Sequence, residues 1–230
     1  MLGIIGAMDE EVKAIIDKMQ DTTSVTKAGM TFNKGTLNGK DVVVVRSGIG
    51  KVNAGLCTQI LVDDYKIDAV INTGIAGSLK VQIDIGDIVL SSDAVYHDMD
   101  ATGFGYEYGV IPRMESSVFK GDTRLIELAK ECCMRVNKDI NVHVGRVVSG
   151  DQFVSDKAKK DWIDEHFDGM CTEMEGAAIA HAATLNNIPF LIVRAISDKA
   201  DNSATMDYGE FEKQAIIHSV NLMVELVKNI

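Results

Sequence analysis

The chain has 230 residues, 46% of them apolar and 25% charged, which suits one globular domain of ordinary size. Its net charge of −11 disfavours nucleic-acid backbones and anionic membrane surfaces, both of which attract basic patches. A small ligand, neutral or cationic overall, fits such a surface better.

The opening run Met1-Leu2-Gly3-Ile4-Ile5-Gly6 has no basic segment before it and leads straight into Asp9-Glu10-Glu11. It therefore reads as a buried strand rather than a signal peptide. No apolar stretch approaches the ~20 residues that a membrane span needs. The cysteines, Cys57, Cys132, Cys133 and Cys171, form no C-x-x-C pair and read as reduced thiols, so a cytoplasmic location is expected.

After the Leu2–Ile5 strand, Val12, Ile15, Ile16 and Met19 recur at helical spacing, predicting a helix over 11–19. Val42 to Val45 is a β-branched strand, followed by a glycine turn and a helix from about Val52 to Tyr65. Ala69 to Asn72 is a strand that runs into Thr73-Gly74-Ile75-Ala76-Gly77. Ile88–Leu90 and Val142–Val148 are further strands. Ala177–Leu185 is a helix of small residues, Pro189–Ile196 a last buried strand, and Phe211–Val227 a closing amphipathic helix. Continuous apolar strands imply that both sheet faces are covered. The expected fold is α/β: a single-domain three-layer sandwich over 1–230, its mixed, mainly parallel central sheet flanked by helices. Between His97 and Met114 lies a long loop with Phe104, Tyr106 and Tyr108 among glycines, a length that usually signals a functional or interface role.

Three carboxylates sit at or beside the ends of apolar runs: Glu11, Glu175 and Asp198. Ligands in such sheets bind at the carboxyl ends of strands. Cleavage of a glycosidic bond calls for this inventory: an acid for the leaving group, a base for water and anchors on the sugar. A plainer account of Asp9-Glu10-Glu11 is favourable charge in a first helical turn, which the same location offers without excluding a catalytic base. Arg194 offers a structural salt bridge to Glu175 or Asp198 as the bland alternative.

Two other motifs weigh less. Gly48-Ile49-Gly50-Lys51-Val52-Asn53-Ala54-Gly55 has its third glycine two residues too late for a dinucleotide fingerprint, and reads as a tight turn with exposed N–H groups. His97-Asp98-Met99-Asp100 lacks the partners that a metal site needs, so no metal is expected. His143, His166, His181 and His218 are scattered.

Taken in order, Gly3-Ile4-Ile5-Gly6-Ala7-Met8 with Glu10-Glu11, Ser47-Gly48-Ile49-Gly50-Lys51, Asn72-Thr73-Gly74, Phe104-Gly105-Tyr106-Glu107-Tyr108-Gly109, Ser149-Gly150-Asp151, Glu173-Met174-Glu175 and Arg194-Ala195-Ile196-Ser197-Asp198 resemble the bacterial 5′-methylthioadenosine/S-adenosylhomocysteine nucleosidases of the purine nucleoside phosphorylase superfamily. The resemblance spans nearly the whole chain. It implies hydrolysis of the N-glycosidic bond of these nucleosides, and of 5′-deoxyadenosine, within methionine salvage and without a cofactor. Asp198 is then the acid at adenine N7, with Ser197 orienting it, and Glu11 the base for water, with Arg194 nearby. Glu175 and Met174 take the ribose, Phe153 and Val154 the adenine, with Gly77 at the same site. Met8, Ile49 and Tyr208 line the alkylthio pocket. Phe104 and Pro112 reach into the other subunit's site, implying a homodimer. Ile75 stands where the family usually has Ser or Thr, and Tyr208 where Phe is common.

Three alternatives differ in chemistry. A phosphorylase on the same fold needs a cationic phosphate pocket, against which Asp9, Glu10 and Glu11 speak. An aminodeoxyfutalosine nucleosidase uses the same chemistry on another 6-amino purine nucleoside. A non-catalytic nucleoside sensor has no need of both an acid and a base.

Overall fold

The computed structural model describes residues 1–201 and 204–230, apart from the side chains of 205–208 and 210. The chain runs through β1 (Leu2–Gly6), α1 (Asp9–Ile16), β2 (Gln20–Lys27), β3 (Met30–Leu37), β4 (Lys40–Arg46), α2 (Lys51–Tyr65), β5 (Ala69–Ser78) and β6 (Ile88–Tyr96). A 3-10 turn at Thr102–Phe104 follows. Then come β7 (Phe119–Lys120), α3 (Thr123–Val136), β8 (Val142–Ser149), α4 (Lys157–Phe167), β9 (Cys171–Glu173), α5 (Gly176–Leu185), β10 (Phe190–Asp198) and α6 (Ala204–Asn229).

The alternation of strand side chains builds the layers. In β1 and β4, Ile5, Val43 and Val45 face one core with residues of α2 and α5. Their neighbours Ile4, Val42 and Val44 face the other, with residues of α1, α3 and α6. Helices thus cover both faces of one sheet, as expected for a three-layer α/β domain. A third, smaller cluster packs Ile163 and Phe167 of α4 against Leu79, Val95 and Val148.

The sheet runs in the order β10-β6-β8-β9-β5-β1-β4-β3-β2, and β10 also pairs with β5, so five strands close into a ring. β1 is parallel to β4 and β5, β5 to β10, and β8 to β6 and β9. The β2–β3–β4 meander and the β10–β6, β5–β9 and β6–β7 contacts are antiparallel. The antiparallel share is larger than buried runs alone convey, because β2 is exposed along its whole length and carries no apolar signature.

Boundaries differ in instructive ways. α1 stops at Ile16 instead of reaching Met19, and α6 begins at Ala204, ahead of Phe211. β5 continues through Gly74 to Ser78, where the sequence pattern ends at Asn72. Glycine and alanine hide the strand there, but its ladder with β10 persists to Gly77. The extension matters, since register then sets Gly77 beside both Asp198 and Thr172, and Ser149 beside Glu173.

Candidate active site

A cavity of about 410 Å³ opens where β1, β5, β9 and β10 end. Glu11 forms one wall. It sits in the first turn of α1, and its Oε2 accepts hydrogen bonds from the N–H groups of Ala7 at 2.6 Å and Met8 at 3.0 Å. Its Oε1 accepts from Ile75 N at 3.2 Å. This carboxylate thus caps the start of α1 and lines the cavity at once. Burial pushes its pKa up, and outweighs the lowering by Arg194 and by the three N–H donors.

Gly74 explains how Glu11 and Arg194 come to lie side by side. A Cβ on Gly74 would overlap Arg194 Nη1 and stand 2.5 Å from Glu11 Oε1. The strand gives up a side chain so that the two charges rest against its backbone.

Arg194, in the middle of β10, is fully buried. It pairs with Glu173, donates to Asn72 Oδ1 at 2.5 Å, and lies 3.7 Å from Glu175 Oε2. Glu173 also takes the Ser149 hydroxyl and the N–H groups of Glu175 at 3.1 Å and Gly176 at 2.7 Å. Glu175 Oε1 accepts from Gly50 N at 2.8 Å, so one N–H group of the glycine turn binds this chain's own carboxylate. Burial raises the Glu175 pKa, the Glu173 charge adds to that, and Arg194 opposes it. Burial disfavours the Arg194 charge, but Glu173, Glu175 and Glu11 outweigh it and hold its pKa above the ordinary value.

At the far end, Asp198 closes β10. Its Oδ1 accepts from Ala200 N at 2.7 Å, and the Ser197 hydroxyl lies 2.9 Å from its Oδ2. A Cβ on Gly77 would stand 2.7 Å from the same Oδ1, so this approach also needs glycine. Phe153 and Val154, in the loop after β8, form the facing wall, with Phe153 half exposed and Val154 buried.

Of the residues expected from sequence, Met8, Glu11, Ile49, Gly77, Phe153, Val154, Met174, Glu175, Ser197 and Asp198 line this one cavity. Arg194 lies behind its wall, holding the two glutamates. Phe104 and Pro112 do not line it; Phe104 projects outward, 87% exposed. The side chain of Tyr208 lies outside the described residues. Sequence reasoning missed Glu173 as an anchor, along with Gln152 and Thr172 in the lining. The available signal was Glu173-Met174-Glu175 itself: two acids flanking one residue beside a strand end, with a buried arginine to be neutralised.

The arrangement offers a base-like carboxylate, a second carboxylate near a guanidinium, and a hydrogen-bonded aspartate opposite an aromatic ring. The model of the phosphorylase superfamily matches residues 1–228. A 5′-methylthioadenosine/S-adenosylhomocysteine nucleosidase of Bacillus cereus (strain B4264) is 40% identical over 230 residues, covering 100% of this chain and 99% of that protein. Among solved structures, the nucleosidase of that name from Neisseria meningitidis, in complex with methylthio-immucillin-A, superposes with a TM-score of 0.95 at 37% identity, covering 100% and 99% of the two chains. The one from Colwellia psychrerythraea 34H, in complex with adenine, gives 0.94 at 38% identity, covering 98% and 93%.

Proposed function

The chain belongs to the 5′-methylthioadenosine/S-adenosylhomocysteine nucleosidase family within the phosphorylase superfamily, and from that premise we propose that it hydrolyses the N-glycosidic bond of these two nucleosides. The products are adenine and the free 5-substituted thioribose. The role belongs to methionine salvage.

In this reading Asp198 gives its proton to adenine N7 as the C1′–N9 bond breaks. The electron pair of that bond stays on a neutral purine, a far better leaving group than the anion. Water attacks C1′ from the other face and passes its proton to Glu11. Charge supports the assignment, because the ribosyl centre turns cationic in the transition state and the cavity is lined by Glu11, Glu173 and Glu175, with Arg194 buried behind them. Glu175 and Met174 hold the ribose. Phe153 stacks on adenine and the Val154 backbone reads its edge. Met8, Ile49 and Tyr208 take the alkylthio group, Gly77 leaves room at Asp198, and Ser197 orients its carboxyl.

The observation that carries hydrolysis over phosphorolysis is the lining itself. No lysine or arginine lines the cavity among the described residues. Asn202, Ser203, Thr205, Met206, Asp207, Tyr208 and Glu210 add no cation. Arg194 is held by Glu173 and Asn72, and Arg46 pairs with Asp9 at 3.3 Å on the surface. A phosphate nucleophile would meet carboxylates with no cation to receive it. Adenine release should therefore proceed equally with and without phosphate, from both nucleosides. A ribose 1-phosphate product would sink this assignment.

The same reading makes the protein a homodimer. Ile49, Val52 and Leu56 present an apolar stripe around the start of α2, with Val52 73% and Leu56 50% exposed. Like the exposed Phe104, they offer the kind of apolar surface that a partner covers. Phe104 and Pro112 then complete the partner's cavity from the outside. Four buried free thiols suit the reducing cytoplasm. No helix among the described residues is long and apolar enough to cross a membrane.

A further inference from the structure

We propose that Lys51 is a positioning residue whose ammonium clamps together three segments of the cavity's outer wall, so that substrate affinity depends on it. The inference rests on the nucleosidase reading, and deepens it by adding a residue that touches no substrate.

Lys51 opens α2. Its Nζ donates to Asp98 Oδ2 at 2.6 Å, and its backbone N–H donates to Asp151 Oδ1 at 2.8 Å. Asp151 N donates in turn to the same Asp98 Oδ2 at 2.9 Å, and Asp151 Oδ2 lies 3.9 Å from the ammonium. The ammonium also stands over the Tyr96 ring, 5.4 Å from its centroid. One carboxylate oxygen of Asp98 thus gathers a donor from each of two other segments. The Lys51 and Asp98 side chains are only 26% and 18% exposed, so this pair is screened less than one in open solvent.

Each segment leads directly to the cavity. Next to Lys51, Gly50 N–H holds Glu175, and Ile49 lines the wall. The residues after Asp151 are Gln152, Phe153 and Val154, all of which line it. Asp98 opens the loop that carries Phe104 and Pro112. These three connections, already tied to the sheet by His97 N–H on Ser149 O at 2.9 Å and Gly150 N–H on Glu173 O at 3.1 Å, are joined to one another at one further point. Glu11 and Asp198 stand on other elements, so the clamp governs where substrate sits and leaves the acid and the base in place.

The test uses Lys51→Met, Asp98→Asn and the double variant beside wild type, with methylthioadenosine as substrate. Each single change is expected to raise KM about tenfold with kcat within about threefold, the pattern of lost uniform binding. The double variant should be no worse than the weaker single one, because both break the same clamp. Amide hydrogen exchange should rise in 97–100 and 150–154 of Lys51→Met while β1 and β10 keep their protection. A bland fold-stabilising role would lower the melting temperature and leave KM alone. Unchanged KM in a folded Lys51→Met, or additive KM increases in the double variant, overturns the proposal. Asp98→Asn, nearly isosteric, carries the kinetic test if Lys51→Met does not fold. An inactive wild type would sink the nucleosidase reading instead, and the exchange measurement would still judge the clamp.

Discussion

At the end of the cavity where we propose that water is activated, Glu11, Glu173, Glu175 and Arg194 are all at most 7% exposed, and every one is fixed by backbone N–H groups or by another charge. At the end proposed for the purine, the facing wall is a loop, and its aromatic residue, Phe153, is 50% exposed. The first end is preorganised by burial and by glycines that let charges touch a strand. The second is assembled from a connection held by side-chain contacts. Preorganised dipoles and charges lower a barrier without reorganising during the reaction, whereas a loop wall mainly sets affinity. Substitutions in the buried charged wall and in the loop wall should therefore separate into losses of kcat and losses of KM.

The largest effects should come from the proposed acid and base, one at each end. Glu11→Gln and Asp198→Asn keep shape and remove a proton acceptor or donor, and each should lower kcat by about 10²–10⁴, roughly 3–5 kcal/mol of barrier. Because burial raises the Glu11 pKa and only the carboxylate accepts a proton, wild-type kcat/KM should fall as pH drops through a value above 4.5. Near-normal turnover in a variant whose thermal melt shows it folded would remove that residue from the chemistry.

Gly74→Ala tests whether the water end depends on space alone. The added methyl must displace the Arg194 guanidinium, the Glu11 carboxylate or both. The expected loss is about 10² in kcat, since misplacing a reacting group by about 1 Å costs on that order. Gly55→Ala is the control, because nothing lies within 4 Å of its Cβ position. Equal activity in the two variants would mean that the strand backbone does not set the charged pair.

Phe153→Ala probes the loop wall. Stacking of a base on an aromatic ring contributes about 1–3 kcal/mol, and half exposure points to the lower part of that range. KM should rise about five- to thirtyfold with kcat nearly unchanged. A kcat loss matching that of Gly74→Ala would erase the distinction between the two ends.

The two ends also differ in how far the sequence betrays them. Runs such as Val42–Val45 and Leu191–Val193 are legible because burial on both faces demands continuous apolar residues. The strand-end carboxylates are legible for the opposite reason, since an acid beside such a run needs a purpose. β2 is illegible because solvent meets all its side chains, and the hairpin joining it to β3 turns through Ala28-Gly29 with positive φ, without the Asn-Gly signature. α3 did leave a trace: Asp122 caps it through Leu125 N at 2.9 Å, and Leu125, Ala129, Cys132 and Cys133 keep helical spacing. Glu173 escaped although its motif is local, because which of the two acids takes Arg194 is set by a contact between residues 21 positions apart. The clamp at Lys51 joins residues 47 and 100 positions apart, and is hidden for the same reason.

The last prediction concerns stability and leaves turnover at neutral pH untouched; it falls on His97, which lies beneath the loop wall. His97 is 1% exposed, and its ring packs against Gly150, where any Cβ would collide with it. Burial pulls its pKa down to about 4; Asp98 and Glu173 favour the charged form, and Lys159 opposes it. The folded protein therefore holds a neutral imidazole, while the unfolded chain takes up a proton below about pH 6.5. A depressed folded-state pKa means that stability is fully present above 6.5 and is lost as pH falls toward 4. Between pH 7 and 4.5 this one group should remove roughly 2 kcal/mol of unfolding free energy. His97→Asn removes the titration, so denaturant unfolding at the two pH values should show a smaller drop in the variant than in wild type. Since His97 adjoins Asp98 and the turn at Gly150, amide exchange at 150–154 should rise on acidification before exchange in β1 does. If both proteins lose stability equally across that range, the histidine is not a source of acid sensitivity, and the loop wall is no weaker in acid than the charged end.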